Sequence, residues 1–401
     1  MNYCRHAEEA LRELSEMFGA VLVMGAPQVG KTTLVNGFVG KNARLVTQDD
    51  RFQLETFFTD YTPPIFVDEI QRAPGLFPEM KLIMDREKKK GMFFLAASKK
   101  FETMNDVTES LAGQLGFLNL SGLSVREMLG VKCRAPFVPT EEYFAERGRG
   151  GQALSYDGVW QAIHRGGFPE LNANPDLDRE LFYDNYVLSY MERYMQSIAK
   201  AGDESKFLEF MSTVASFTGQ LLNISSMARS AGVSRYTAER WLLVLAASDL
   251  FFLLQPYHND QLKRMVKAPK VYFRDTGLAA YLTRWNTADA LKSGAMAGAF
   301  FETFVIAEIA KSYTNNGILF LPLYFWRDKD GNEIALLIED EGTLYPIEVK
   351  ENADPEKSDV AKFSLLDNLT DTKRGAGGVV CMYDGLVALN GNDRAIPVSY
   401  L

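Results

Sequence analysis

Cysteine is scarce: Cys4, Cys133 and Cys381 are the only three in 401 residues, and their spacing matches neither a disulfide framework nor a zinc site. That usage fits a reducing compartment. No apolar run is long enough for a membrane span, since the greasiest stretch, WLLVLAASDLFFLLQ, is too short and carries Asp249. Nor does the chain open on a secretory signal, because MNYCRHAEEALREL has the acidic, amphipathic pattern of a helix. A net positive charge is missing too. The balance is −9, which argues against a protein that coats nucleic acid without specificity but permits a local basic patch. The expected setting is cytoplasmic, with no membrane partner. What is present is ordinary for a globular protein: 47% hydrophobic and 24% charged residues, enough for a sizeable core and roughly two to four domains.

The segment AVLVMGAPQVGKTTLVNGFV runs from an apolar strand through a glycine-rich loop into a helix. Gly25, Gly30, Lys31 and Thr32 satisfy G-x-x-x-x-G-K-[ST] in the context that motif requires. The amides of Gly25, Ala26, Pro27, Gln28, Val29, Gly30, Lys31, Thr32 and Thr33, Pro27 lacking one, are placed to wrap phosphates at a helix amino end. Lys31 is expected to reach the β- and γ-phosphates and the Thr32 hydroxyl to bind Mg²⁺. Further on, Ile65-Phe66-Val67 is an apolar strand that delivers Asp68 and Glu69 at its tip. This is a Walker B pattern, in which Asp68 holds the metal shell and Glu69 orients the attacking water. A third strand, GMFFLAAS, ends in Ser98, readable either as a phosphate sensor or as a helix N-cap. ATP and Mg²⁺ are the implied cofactors. Alternation of strands ARLVTQ, IFVDE, MFFLAA and GFLNL with helical segments predicts a mostly parallel sheet covered on both faces.

GAPQVGKTT, VDEIQRAP, ESLAGQ and NLSGLSVREML together resemble the AAA-type ATPases of bacteria and archaea that carry a fused carboxy-terminal domain of unknown function. GGFPEL, FYDNYVLSYMER, TGQLLN, KAPKVYFRDTGLAAYL and YFWRDKDGNEI resemble that fused domain in the same order, so the likeness covers nearly the whole chain. The resemblance implies ATP binding and hydrolysis over residues 1–133. Two departures stand out: Gln114 occupies a place where the family usually has Arg, and Leu95-Ala96-Ala97-Ser98 replaces LTGS. If the family Arg senses phosphate, Gln114 cannot supply its charge, and hydrolysis is expected to be slow or conditional. Arg126, Arg165 and Arg193 are the candidate substitutes.

Residues 134–152 mix Pro, Gly and charge without a sustained apolar period, which predicts a linker. Helices are expected over 153–205, where the aromatic stripe of DRELFYDNYVLSYMERYM reads as core packing. A winged-helix region is expected over 206–288. There Gly232-Val233 forms a turn, Ser234 caps a second helix, and Ala238, Trp241, Leu242 and Leu245 face inward. FFLLQPYHNDQLKRMVKAPKVYF then reads as two strands around a polar tip. From Leu221 to Trp285 there are nine Lys or Arg against four Asp or Glu. Arg235, Tyr236, Arg240, Lys263, Arg264, Lys267 and Lys270 are the candidate DNA contacts. The alternative is an adaptor that meets only protein, whether a partner or a second copy.

Over 289–401 the order helix, three strands, helix, strand resembles a restriction-endonuclease-like core of the PD-(D/E)xK type. Glu302 sits on the helix, and Glu348 and Lys350 share a strand face two residues apart. Such sites usually place an Asp where this chain has Ala335, and Glu333 lies about 6.6 Å from it along the strand. The expected architecture is therefore α/β and multidomain: a P-loop parallel sheet, a winged-helix region, and a nuclease-like domain that has lost its reaction. The expected function is an ATPase switch that binds DNA or a protein, with an ATP-regulated nuclease and a purely protein-binding switch as alternatives.

Overall fold

The computed structural model describes residues 3–40, 44–46, 62–98, 111, 113–149, 153–198, 204–258, 268–369 and 372–401. The first sheet is built from β1 (Ala20–Met24), β2 (Arg44–Val46), β3 (Ile65–Val67), β4 (Phe93–Ala97) and β5 (Leu115–Asn119). All are parallel, in the order β2-β3-β4-β1-β5. Alternation decides which face each side chain serves. Val21 and Val23 join one core with the helices Ala7–Met17 and Lys31–Val39, while Ala20, Leu22 and Met24 pack with Phe77, Met80 and Met84 of the helix Leu76–Glu87. β1 lies between β4 and β5, so the loop leaving its carboxyl end emerges where a parallel sheet binds ligands.

The second sheet contains β6 (Phe251–Pro256), β7 (Lys270–Phe273), β8 (Leu323–Arg327), β9 (Glu333–Asp340), β10 (Thr343–Val349), β11 (Lys373–Arg374), β12 (Gly377–Cys381), β13 (Val387–Ala388) and β14 (Asp393–Pro397). Its order is β13-β14-β12-β10-β9-β8-β6-β7, with β11 beside β10. The helix Ala297–Thr314 covers one face, and the 3₁₀ helix Lys357–Asn368 covers the other through Val360, Phe363 and Leu366.

Two expectations about organisation are corrected here. The β6–β7 pair is no free wing: β6 also pairs in parallel with β8, and Phe251, Val271, Tyr272 and Phe273 are buried. Their apolar side chains draw the hairpin into the sheet, and its polar tip lies outside the described residues. Nor is 134–149 a loose linker. Thr140 caps the helix Glu141–Gly148, Phe137 is fully buried, and Tyr143 donates to the Tyr400 carbonyl. One hydrophobic cluster runs from Ala7 to Leu401, so the sequence regions share a core.

Candidate functional site

Backbone sterics shape the loop after β1. Gly25 has φ 151°, and a Cβ there would meet the Leu120 carbonyl oxygen at 2.1 Å. Gly30 enters the next helix at φ 93°, a conformation that costs glycine little. Lys31, buried, donates to the carbonyls of Gly25 at 3.0 Å and Ala26 at 2.8 Å. Thr32 Oγ1 donates to Asp68 Oδ2 at 2.8 Å, which joins the helix tip to the tip of β3. Ser98 Oγ, at the end of β4, donates to Glu69 Oε1 at 2.8 Å, and the Gln71 amide donates to the other Glu69 oxygen. Glu69 sits in the left-handed region at φ 51°, so the turn after β3 swings its carboxylate toward Ser98. The N-cap alternative for Ser98 falls on residues outside the described set.

These groups line one cavity of about 870 Å³, with Pro27, Gln28, Gly30, Lys31, Thr32, Thr33, Asp68, Glu69 and Ser98 on one side. Ala26 and Val29 turn their side chains into the core instead. The rest of the lining is where sequence reasoning fell short. It includes Tyr3, Cys4 and Arg5 with Pro169, Glu170, Tyr186, Ser189 and Tyr190. Tyr183, Tyr186 and Tyr190 of the helix Arg179–Ile198 are buried, and the rings of Tyr186 and Tyr190 also face this cavity. Arg5 had no sequence signal at all. Its guanidinium donates to Val29 O at 2.8 Å, Ser121 O at 2.7 Å and Glu127 Oε1 at 2.9 Å. Burial pushes the Glu127 carboxyl up, but Arg5 and the amides of Ser124 and His6 outweigh it and leave it below the usual carboxylate range.

Gln114 precedes β5, a strand length of about 16 Å from the phosphate loop, and pairs with Asp85. It cannot touch phosphates held by its own chain. The proposed substitutes are also committed: Arg126 bonds Ala135 O and Tyr143, and Arg165 bonds the carbonyls of Leu171, Asn174 and Pro175. The side chain of Arg193 lies outside the described residues.

On the helix Arg235–Ala247, Ala238, Trp241, Leu242 and Leu245 are buried. Arg235, Tyr236 and Arg240 are exposed, with Arg235 paired to Glu239 at 2.8 Å and Arg240 lying over the Tyr236 ring. Lys263, Arg264 and Lys267 lie outside the described residues. Lys270 corrects the DNA-contact expectation, because its side chain is 5% exposed and directed inward. Its ammonium meets Glu333 at 2.6 Å and Glu302 at 3.2 Å, and the Tyr272 hydroxyl donates to Glu302. Glu348 is close enough to Glu302 for their charges to interact, and Lys350 lies beside it. Burial first, then Glu302, pushes the Glu348 carboxyl up to about 7, against the pull of Lys350, Lys362 and the Ala335 amide. Glu302, Glu348 and Lys350 are thus brought together, with Glu333 and Lys270 added. Among the described residues, no three His, Cys, Asp or Glu side chains are grouped as a metal site requires. No described helix is long and apolar enough to cross a membrane.

Residues 18–129 match the model of an AAA domain, and residues 156–289 and 297–401 match two domains of unknown function, DUF8612 and DUF4143. Two relatives, uncharacterized proteins of Mycobacterium bovis and Mycobacterium tuberculosis, are each 29% identical over 374 residues, covering 90% of this chain and 77% of theirs. A Walker-type ATPase of Pyrococcus abyssi is similar in structure at a TM-score of 0.44 and 11% identity, covering 69% of this chain and 94% of that one. Residues 18–129 are thus similar to an AAA domain, and the loop after β1 has the geometry of a P-loop.

Proposed function

We propose that the protein is a nucleotide-dependent switch, in which Mg-ATP binding alters how the middle helices pack and so presents a surface to a macromolecular partner. The observation that carries this reading is the shared cavity. Its phosphate side belongs to the first sheet, and the rest of its lining to the amino-terminal residues Tyr3–Arg5 and the helices Pro169–Ala173 and Arg179–Ile198. A ligand there touches both, so its affinity depends on their relative position. Tyr190 extends the connection, because its hydroxyl donates to Ser248 Oγ at 3.0 Å, just past the helix Arg235–Ala247.

In the reaction, Lys31 neutralises the β- and γ-phosphates, and the loop amides hold them in line. Thr32 and Asp68 offer a hydroxyl and a carboxylate of the kind Mg²⁺ accepts and would hold the ion, which would supply charge neutralisation. Glu69, its two oxygens oriented by Ser98 and Gln71, is the group that positions the attacking water. No arginine is poised over the phosphates among the described side chains other than Arg5, whose hydrogen bonds are committed elsewhere. That supports slow or conditional hydrolysis.

A second reading concerns the partner. The exposed side of the helix Arg235–Ala247 carries Tyr236 at 69% and Leu243 at 71% exposure, and its Arg235 is already paired. With Lys270 turned inward, this favours a protein partner over DNA. We read the carboxyl region as restriction-endonuclease-like in strand order but without nuclease chemistry. Hydrogen exchange on the full chain with and without a non-hydrolysable ATP analogue tests the switch. Added protection is expected over 179–192 and 235–248 and absent in Lys31→Ala. Protection confined to the phosphate loop and residues 68–69 would overturn it. ATP hydrolysis with and without DNA separates the two partners: stimulation that fades with salt indicates DNA.

A further inference from the structure

The carboxylate cluster of the second sheet already contains a cation. Lys270 is the first residue of β7, and its ammonium reaches across to Glu333 at the start of β9 and to Glu302 on the helix Ala297–Thr314. We propose that Lys270 is a resident cation of the carboxyl region, set between Glu302 and Glu333, so that the chain neutralises its own carboxylates and Glu302 is not left to take a metal there.

A buried ammonium is tolerated only with counter-charges, and Lys270 has two within ion-pair distance plus the Phe325 ring at 5.8 Å. Glu302 Oε1 accepts from both Lys270 and Tyr272, leaving little capacity for a metal on that oxygen. Mg²⁺ demands near-octahedral oxygen ligands at about 2.0–2.1 Å, and Ala335 supplies none from its side chain. Glu348 Oε2 is buried without a hydrogen-bond partner. A divalent ion beside the ammonium would add repulsion at close range. The pairing also ties two regions together: β7 falls in the stretch 156–289 that matches one domain model, and both carboxylates fall in the stretch 297–401 that matches another.

The comparison with nucleases rests on the strand-order reading above, whereas the neutralising role does not, and the test separates them. Thermal unfolding of the full chain without nucleotide should show Lys270→Met losing several degrees of Tm, with at least half restored by adding Glu333→Gln. Should Lys270→Met be insoluble, recovery of soluble protein in the double variant supports the role equally, and its failure overturns it. A Tm for Lys270→Met within about 1 °C of native also overturns it. Mn²⁺ binding is then followed by electron paramagnetic resonance in an Asp68→Asn background, which silences the ATPase site. Native sequence at 270 should bind no ion that Glu302→Gln removes, and finding one overturns the proposal. Lys270→Met with Ala335→Asp should bind one Mn²⁺ per chain. Its absence would remove the likeness to a nuclease and leave the resident cation standing.

Discussion

The two lysine–carboxylate constellations of this protein use similar parts for opposite ends. At the phosphate loop, Lys31 rests on two backbone carbonyls, and Asp68 and Glu69 border an open cavity of about 870 Å³. In the second sheet, Lys270 is locked between Glu302 and Glu333, and the cluster is closed around it. A lysine held by carbonyls can exchange them for a ligand's phosphates at little cost. One held by carboxylates in a buried setting cannot leave without stranding charge. The first arrangement suits binding and the second suits cohesion.

That contrast is sharpest as a double dissociation. Lys270→Met is expected to cost about 3–5 kcal/mol of stability while leaving nucleotide affinity within twofold, measured by chemical unfolding and by titration with a fluorescent ATP analogue. Loss of affinity in that variant would blur the distinction. Lys31→Ala should do the reverse, weakening nucleotide binding about a thousandfold, or about 4 kcal/mol, with little change in unfolding without ligand. Glu69→Gln should keep binding and cut turnover by about a hundredfold, read by phosphate release. A smaller effect comes from Glu348. Its carboxyl is raised to about 7 from a usual value near 4.5, so the folded state holds a proton that the unfolded state has released across that window. Stability should therefore fall as pH rises from about 4.5 to 7 and level off above, by about 2–3 kcal/mol at most. Glu348→Gln should flatten this slope in urea titrations at several pH values.

Legibility in sequence followed distance along the chain. The phosphate loop was readable because strand, glycines, Lys31 and Thr32 are contiguous, and Asp68-Glu69 announced themselves at the end of an apolar run. The run of one helix and three strands over 297–349 was readable for the same reason, as was the inward face of the helix Arg235–Ala247, whereas the short strand β11 was not expected. What escaped depends on pairs far apart. Lys270 looked like part of a basic cluster because nothing local reveals carboxylates 32 and 63 positions later. Arg5 lay unremarked in a stretch read as an amphipathic helix, because its partner Glu127 is 122 residues away. The hairpin read as a wing because β6–β7 pairing is local, while the β6–β8 pairing that absorbs it is not. Tyr186 and Tyr190 fitted a core stripe, and periodicity alone cannot tell a packed ring from one that also borders a cavity.

The cavity's composite lining also sets an order of events during synthesis. It begins at Tyr3 and is complete only at Tyr190, so synthesis must pass that residue before the pocket has its full lining. A nascent chain that ends after the AAA-like stretch carries Lys31, Asp68 and Glu69 yet lacks the helices that close over them. The complete pocket is in that sense a product of both the AAA-like stretch and the middle helices.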